Sequence, residues 1–284
     1  MSPSLDMVVF GGDKRQIYVA KSLLEKGYSV GTYRLSEQVP AKNCVGLDTL
    51  DALFDRCDVL IGPIPFIKNL PPAEQLLASF ERRLTKRHLL IGGILPPALV
   101  RFCAQNEIAC FDLMQNERVA ILNAIATAEG AIMEAIGAGA INLHGSDCLV
   151  TGFGRCGKIL ADRLRGLHAR VTVAARSGEA LAYAQASGLR PVSLSEIDGI
   201  LPGCDFIFNT VPAVIFDDSR LALLKQEAVI IDIASAPGGV DYDAAAKRKC
   251  SARLCPGLPG KVAPRASADI LVHEIMTILE RRGG

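Results

Sequence analysis

The stretch Thr151-Gly152-Phe153-Gly154-Arg155-Cys156-Gly157-Lys158 decides the reading of this chain. It contains G-x-G-x-x-G, a weak signal when it stands alone. Here an apolar run at 148–151 precedes it and a helical pattern at 158–167 follows, the context in which such a turn holds a dinucleotide. Gly152 permits the tight turn. Gly154 lets the backbone approach a pyrophosphate, and Gly157 lets helix and strand pack closely. The free N–H groups at the helix start offer partial positive charge to phosphates. Phe153, Arg155 and Cys156, interleaved with the glycines, complete this part of the candidate cofactor site.

The next strand, 171–174, ends in Ala174-Ala175-Arg176-Ser177. Enzymes that use NAD usually place Asp or Glu at this strand end, to bond the ribose 2′-hydroxyl. No acid occurs here until Glu179. Arg176, with Ser177 beside it, suits a 2′-phosphate through charge-assisted bonds. The expectation favours NADP, with NAD as the alternative. Further along, Asn209-Thr210-Val211-Pro212 leaves another strand, 206–209. Strand C-terminal ends face the ligand in such folds, so Asn209 is expected at a ribose and Val211-Pro212 along the nicotinamide.

Apolar strands and helical segments alternate on both sides of this motif. Strands are expected at 7–10, 28–33, 59–61, 89–91 and 108–111, with helices at 16–25, 73–86 and 97–106. The second series adds strands at 229–233 and 252–254 and ends in a helix over 266–281. Such alternation implies α/β architecture with parallel sheets. The expected fold is two doubly wound parallel-sheet domains bridged by a long helix over 119–140. The first, 1–118, is read as flavodoxin-like and completed by the C-terminal helix, 266–284. The bridging segment is 119–143. The second domain, 144–265, is read as a Rossmann dinucleotide-binding domain.

With 284 residues, half of them hydrophobic, the chain can bury two cores. A formal net charge of +1 argues against nucleic acid, which selects basic surfaces. Nine cysteines, an odd number with no C-x-x-C pair, read as reduced core thiols, with no metal site, in a cytoplasmic protein. The N-terminal MSPSLDMVVF lacks a basic segment and a long apolar run, so a signal peptide is not expected. Glu129 and Glu134 interrupt the long apolar helix, which argues for burial in protein over a membrane span. Long apolar helices also point to a homo-oligomer or a tight partner surface.

Candidate substrate-binding residues lie elsewhere. Gly11-Gly12-Asp13-Lys14-Arg15 closes a strand and opens a helix, with two cations for a carboxylate. Ser235 and the Gly238-Gly239 backbone follow the 229–233 strand. Thr127 and Glu129 lie among apolar residues on the bridging helix. No histidine stands in a good catalytic context. His144, just before the dinucleotide strand, is the nearest acid–base candidate, and no catalytic residue is assigned.

Together these segments resemble the A subunits of dipicolinate synthase from endospore-forming bacteria. The resemblance runs over nearly the whole chain. It rests on GGDKRQ (11–16), NAIATAEGAIMEAI (123–136), HGSDCLVTGFGRCGK (144–158), AARS (174–177), NTVP (209–212), DIASAPGG (232–239) and CPGLPGKVAP (255–264). Cys255 stands where Ala is usual, and Lys261 where an apolar residue is usual. The resemblance implies a 2-hydroxyacid-dehydrogenase-like architecture and, for a partner, a flavoprotein-like B subunit. It also implies oxidation of a dihydrodipicolinate-type cyclic dicarboxylate to dipicolinate, in sporulation, on a branch of lysine biosynthesis. Two other readings are a dehydrogenase of another small carboxylate, such as a 2-hydroxy acid, and a nucleotide-binding scaffold subunit.

Overall fold

The computed structural model describes residues 5–283, which divide into two compact units. Unit one comprises residues up to Leu122 together with the segment from Ala263 onward, and unit two is Asn123–Val262.

Unit one carries strands β1 (Met7–Phe10), β2 (Val30–Tyr33), β3 (Cys44–Gly46), β4 (Val59–Ile61), β5 (Leu89–Gly92) and β6 (Ala109–Asp112). Its helices are α1 (Lys14–Glu25), α2 (Asp51–Arg56), α3 (Ala73–Arg83) and α4 (Pro97–Gln105), and α5 (Glu117–Ala138) begins here. All six strands are parallel, in the order β3-β2-β1-β4-β5-β6. The period-2 alternation of strand side chains sorts β1 between two cores. Met7 and Val9 join Ile17, Leu23, Leu271 and Ile275 on one face. Val8 and Phe10 join Phe54, Phe66 and Phe80 on the other, where the rings meet edge to face.

This order corrects the flavodoxin-like reading. The five strands expected from sequence do run in a 2-1-3-4-5 arrangement. The sixth, β3, adds outside β2 and converts the sheet to the dinucleotide-fold order 3-2-1-4-5-6. With three half-exposed or exposed residues at a sheet edge, β3 has neither an apolar run nor an alternation to announce it.

Unit two carries β7 (Asp147–Thr151), β8 (Arg170–Ala175), β9 (Arg190–Ser193), β10 (Phe206–Asn209), β11 (Val229–Asp232) and β12 (Ser251–Leu254). They form a second parallel sheet in the order β12-β11-β10-β7-β8-β9. The helices are the remainder of α5, then α6 (Arg155–Gly166), α7 (Gly178–Ala186), α8 (Asp218–Leu221), α9 (Tyr242–Arg248) and α10 (Leu258–Val262). Cys148, Val150, Phe206, Phe208 and Ile231 face Leu160, Leu164 and the small residues Ala128, Ala131 and Ala135 of α5. Leu149, Ile207 and Ile230 face Phe216, Leu221 and Ala244 on the opposite side. The last helix, α11 (Pro264–Gly283), returns to unit one and packs along α1.

The fold is thus α/β, two parallel six-stranded sheets with a long helix between them in sequence, the second sheet Rossmann-like. Helix α5 starts two residues before the expected 119. Its first turn is fixed by Asn116, whose Oδ1 accepts from Val119 N at 3.1 Å. It ends at Ala138, short of the expected 140.

Candidate active site

In unit two the strand order reverses between β7 and β10. Ligands of open α/β sheets bind outside the strand C-termini at such a switch point. Gly152 leaves β7 with φ +88°, a conformation that L side chains rarely adopt. Gly154 is the N-cap of α6 and has no side chain to occupy the first free N–H groups of that helix. A Cβ on Gly157 would stand 2.2 Å from the Gly152 carbonyl oxygen, whereas a Cβ on Gly154 would meet nothing within 4 Å. The turn is therefore packed tightly on its inner side and open above Gly154. This cradle fits a dinucleotide pyrophosphate.

A cleft of about 290 Å³ adjoins the turn, lined by residues that include Phe153, Gly154, Arg176, Ser177 and Val211. Arg176 and Ser177 are exposed at the end of β8. The Ser177 hydroxyl accepts from Ala180 N at 3.2 Å and caps α7, which leaves its proton available to an anion. Burial pushes the half-buried Cys156 thiol above its ordinary pKa, so it stays neutral beside the phosphate cradle.

Behind the cradle lies a fully buried polar network at the ends of β7, β10 and β11. Thr151, Asn209 and Asp232 are each wholly inaccessible. Thr151 Oγ1 donates to Asn209 Oδ1 at 2.7 Å, and Asn209 Nδ2 donates to Asp232 Oδ1 at 2.8 Å and to Val211 O at 3.0 Å. Thr210 Oγ1 donates to Thr151 O at 2.9 Å. Asp232 also accepts from Ala234 N at 3.0 Å, Gly239 N at 2.7 Å and Tyr242 OH at 2.9 Å. Burial raises the Tyr242 pKa and the Asp232 charge raises it further, so the phenol remains the donor.

This network corrects two expectations. Asn209 does not reach a ribose, because its amide is enclosed and engaged on both ends. It shapes the Thr210-Val211-Pro212 loop, in which Val211 is half-buried and Pro212 exposed. The Gly238-Gly239 backbone does not offer N–H groups to a carboxylate, because Gly238 N donates to Ser235 O at 2.9 Å and Gly239 N to Asp232. Ser235 itself is exposed. Asp232 and Tyr242 were not legible as site residues, although an acid closing the otherwise apolar VIID strand was a signal.

Other expected residues fall outside these features. Glu129 is exposed rather than buried, on the outer face of α5. The Thr127 hydroxyl turns back to Asn123 O at 3.2 Å, within its own helix. His144 precedes β7, at the N-terminal edge of the sheet, so the strand's length of about 16 Å separates it from the Gly turn.

In unit one the order reverses between β1 and β4, and the Gly11–Arg15 segment follows β1. Asp13 caps α1, accepting from Arg15 N at 3.1 Å. Its carboxylate also receives Arg15 Nε and Nη2, each at 2.9 Å, and Lys68 Nζ at 2.8 Å. Arg15 Nη2 reaches Ile64 O at 2.6 Å as well. Burial alone would raise the Asp13 pKa, but the bonds to Arg15 and Lys68 and the Arg15 charge outweigh it and hold the pKa at about 2. The loop after β4 closes over the turn. Gly12 N donates to Lys68 O at 2.8 Å and Asn69 Nδ2 donates to Gly12 O. Lys14 is exposed. Of the two cations expected to receive a carboxylate, Arg15 is thus buried and braced by Asp13, whereas Lys14 faces solvent. Lys68 and Asn69 were missed because their partners lie more than 50 positions away in sequence.

Comparisons with known proteins agree with this division. Residues 6–114 match the family model for the N-terminal domain of the dipicolinate synthase A subunit. Residues 113–247 match the D-isomer specific 2-hydroxyacid dehydrogenase, NAD binding domain. The chain is 31% identical over 290 residues to the dipicolinate synthase A subunit of Bacillus subtilis (strain 168), covering 98% of this chain and 97% of the relative. The crystal structure of the dipicolinate synthase A subunit from Bacillus halodurans superposes with a TM-score of 0.85 at 28% identity, over 98% of this chain and 99% of that one. The corresponding structure from Bacillus subtilis gives 0.82 at 29% identity, over 99% and 97%. With a nicotinamide-binding dehydrogenase-type domain following that N-terminal domain, the chain belongs to the family of dipicolinate synthase A subunits.

Proposed function

We propose that this chain oxidises a dihydrodipicolinate-type cyclic dicarboxylate to dipicolinate, using NADP⁺ in preference to NAD⁺. The observation that carries the reading is similarity over 98% of the chain to the A subunit of dipicolinate synthase, so that both units are matched. A bound nicotinamide would supply the hydride acceptor. The residues of the chain do the rest. The Gly152–Gly157 turn and the start of α6 hold the pyrophosphate, and Arg176 with the Ser177 hydroxyl binds a 2′-phosphate. The buried Asn209–Asp232 network fixes the loops after β10 and β11, which keeps Val211 and Pro212 in place for the nicotinamide and Ser235 for a substrate carboxylate. Within unit one, Lys14 and Arg15 after β1 are the candidates for binding a carboxylate. Loss of a hydride and a ring proton aromatises the substrate, which supplies driving force and relaxes the need for a strong base. That fits a site with no histidine beside the Gly turn.

The reading extends to a B subunit of flavoprotein-like kind, a homo-oligomeric state and a cytoplasmic place in sporulating cells, on a branch of lysine biosynthesis. The test is nucleotide reduction followed at 340 nm, with enzymatically made dihydrodipicolinate precursor and NADP⁺ or NAD⁺, with and without the partner subunit. Reduction dependent on the precursor is expected. No reduction under any of these conditions would refute the reading.

A further inference from the structure

We infer that Arg15 and Lys68 form a carboxylate receptor at the switch point of unit one, braced by Asp13. The inference deepens the proposed function and rests on it for the identity of the ligand. Arg15 and Asp13 follow β1, and Lys68 follows β4, the two neighbouring strands at which the sheet order reverses. Arg15 Nη2 and Lys68 Nζ both lie within 3 Å of the same oxygen, Asp13 Oδ2.

Two features mark this cluster as a receptor rather than a closed ion pair. The first is charge. A single carboxylate is shared by two cations, and with a pKa of about 2 it stays ionised at neutral pH. The cluster therefore carries net charge +1, with the exposed Lys14 adjacent. The second is an unused donor. The Arg15 side chain is only 5% exposed, and its Nε and Nη2 are bound to Asp13 and Ile64 O, yet Nη1 donates to no described residue. A nearly buried guanidinium held by bidentate bonds, with one NH₂ group left over, is preorganised to donate to a second anion. Lys68 remains one-third exposed, so its ammonium has protons for both Asp13 and a ligand. Asp13 thereby acts as a positioning residue, and Arg15 Nη1 and Lys68 Nζ as the contacts. A planar carboxylate suits this pair of donors.

The test is calorimetric binding of pyridine-2,6-dicarboxylate to the full chain, with 2,6-pyridinedimethanol as the uncharged analogue. Wild type should bind the dicarboxylate and not the diol. Lys68→Gln keeps a donor for Asp13 and removes the charge, and should weaken binding roughly 10- to 100-fold. Lys68→Arg should restore most of it. Lys86→Met removes an equal charge at the N-terminal edge of the same sheet, where Lys86 pairs with Glu107, and should change nothing. Thermal unfolding followed by circular dichroism on each variant verifies that both units, including the substituted unit one, are folded. Equal dicarboxylate affinity in wild type and Lys68→Gln, or equal affinity for the diol, would overturn the inference. Dicarboxylate binding that depends on Lys68, in a chain that reduces no nucleotide, would sustain the receptor and refute only the proposed reaction.

Discussion

The inner and outer glycines of the β7–α6 turn should fail in opposite ways. On Gly157 a methyl group would stand 2.2 Å from the Gly152 carbonyl oxygen and 3.0 Å from its carbon, against ordinary contact at 3.4–4 Å. Helix and strand would have to separate by about 1 Å, and overpacking of this kind costs about 1–3 kcal/mol. At ~2–4 °C per kcal/mol for a domain of this size, Gly157→Ala should lower the melting temperature of the nucleotide-free protein by roughly 3–10 °C. Gly154 has φ −82°, open to any L residue, and no atom within 4 Å of its would-be Cβ. Losing a glycine N-cap costs a few tenths of a kcal/mol or more, and the stiffer unfolded chain returns about 0.4–1 kcal/mol. Gly154→Ala should therefore melt within about 2 °C of wild type. Its methyl group would nevertheless project where the pyrophosphate approaches the helix N-terminus. Displacing one charge-assisted N–H bond of ~1.5–3 kcal/mol weakens dinucleotide binding at least tenfold. Thermal unfolding without nucleotide, paired with fluorescence titration of NADP⁺ and NAD⁺, separates the two effects. Wild-type affinity in Gly154→Ala would refute the placement of the pyrophosphate on this turn.

Arg176→Asp should reverse cofactor preference, with NADP⁺ affinity falling at least tenfold and NAD⁺ affinity held or improved; titration of both nucleotides checks it, and an unchanged ratio would exclude Arg176 from 2′-phosphate binding. Asp13 has a folded-state pKa of about 2 against an ordinary value of 3.8, so its bonds contribute about 2 kcal/mol of stability above pH ~4, lost as pH falls through about 2. Urea unfolding of Asp13→Asn should accordingly show a deficit of that order or larger at pH 7, where two cations lose their partner, and a shrinking one below pH 4. In Asp232→Asn, one acceptor becomes an NH₂ group facing donors that include the Gly239 N–H and the Tyr242 hydroxyl. A loss of roughly 2–4 kcal/mol in urea unfolding is expected, because buried unpaired donors carry their full desolvation penalty.

The elements that sequence reading found are those with local signatures. Strands such as β1 and β11 are fully buried apolar runs, and the Gly turn sits between one such run and a helix. The strands it missed, β3 and β9, are edge strands of three and four partly exposed residues, and β9 contains Pro191, which is tolerated only at edges and bulges. With β3 missing, five strands gave the flavodoxin order and the sixth changed it.

For the site, the sequence by itself determined the glycine turn, because a positive φ and a close helix–strand approach leave no choice of residue. It also determined the missing acid at the end of β8, because that position is fixed by distance along one βαβ unit. Only the tertiary structure decided which polar groups are free to meet a ligand. Asn209, Gly239 and Arg15 all read as available donors in sequence. Folding engages the first two fully and braces the third against Asp13. Their distant partners, Asp232 for the first two and the Ile64 carbonyl for the third, lie 7 to 49 residues away, at positions that only the tertiary fold brings together. A hydrogen-bonding group has a local identity but a non-local partner, and its partner decides whether it is structure or site.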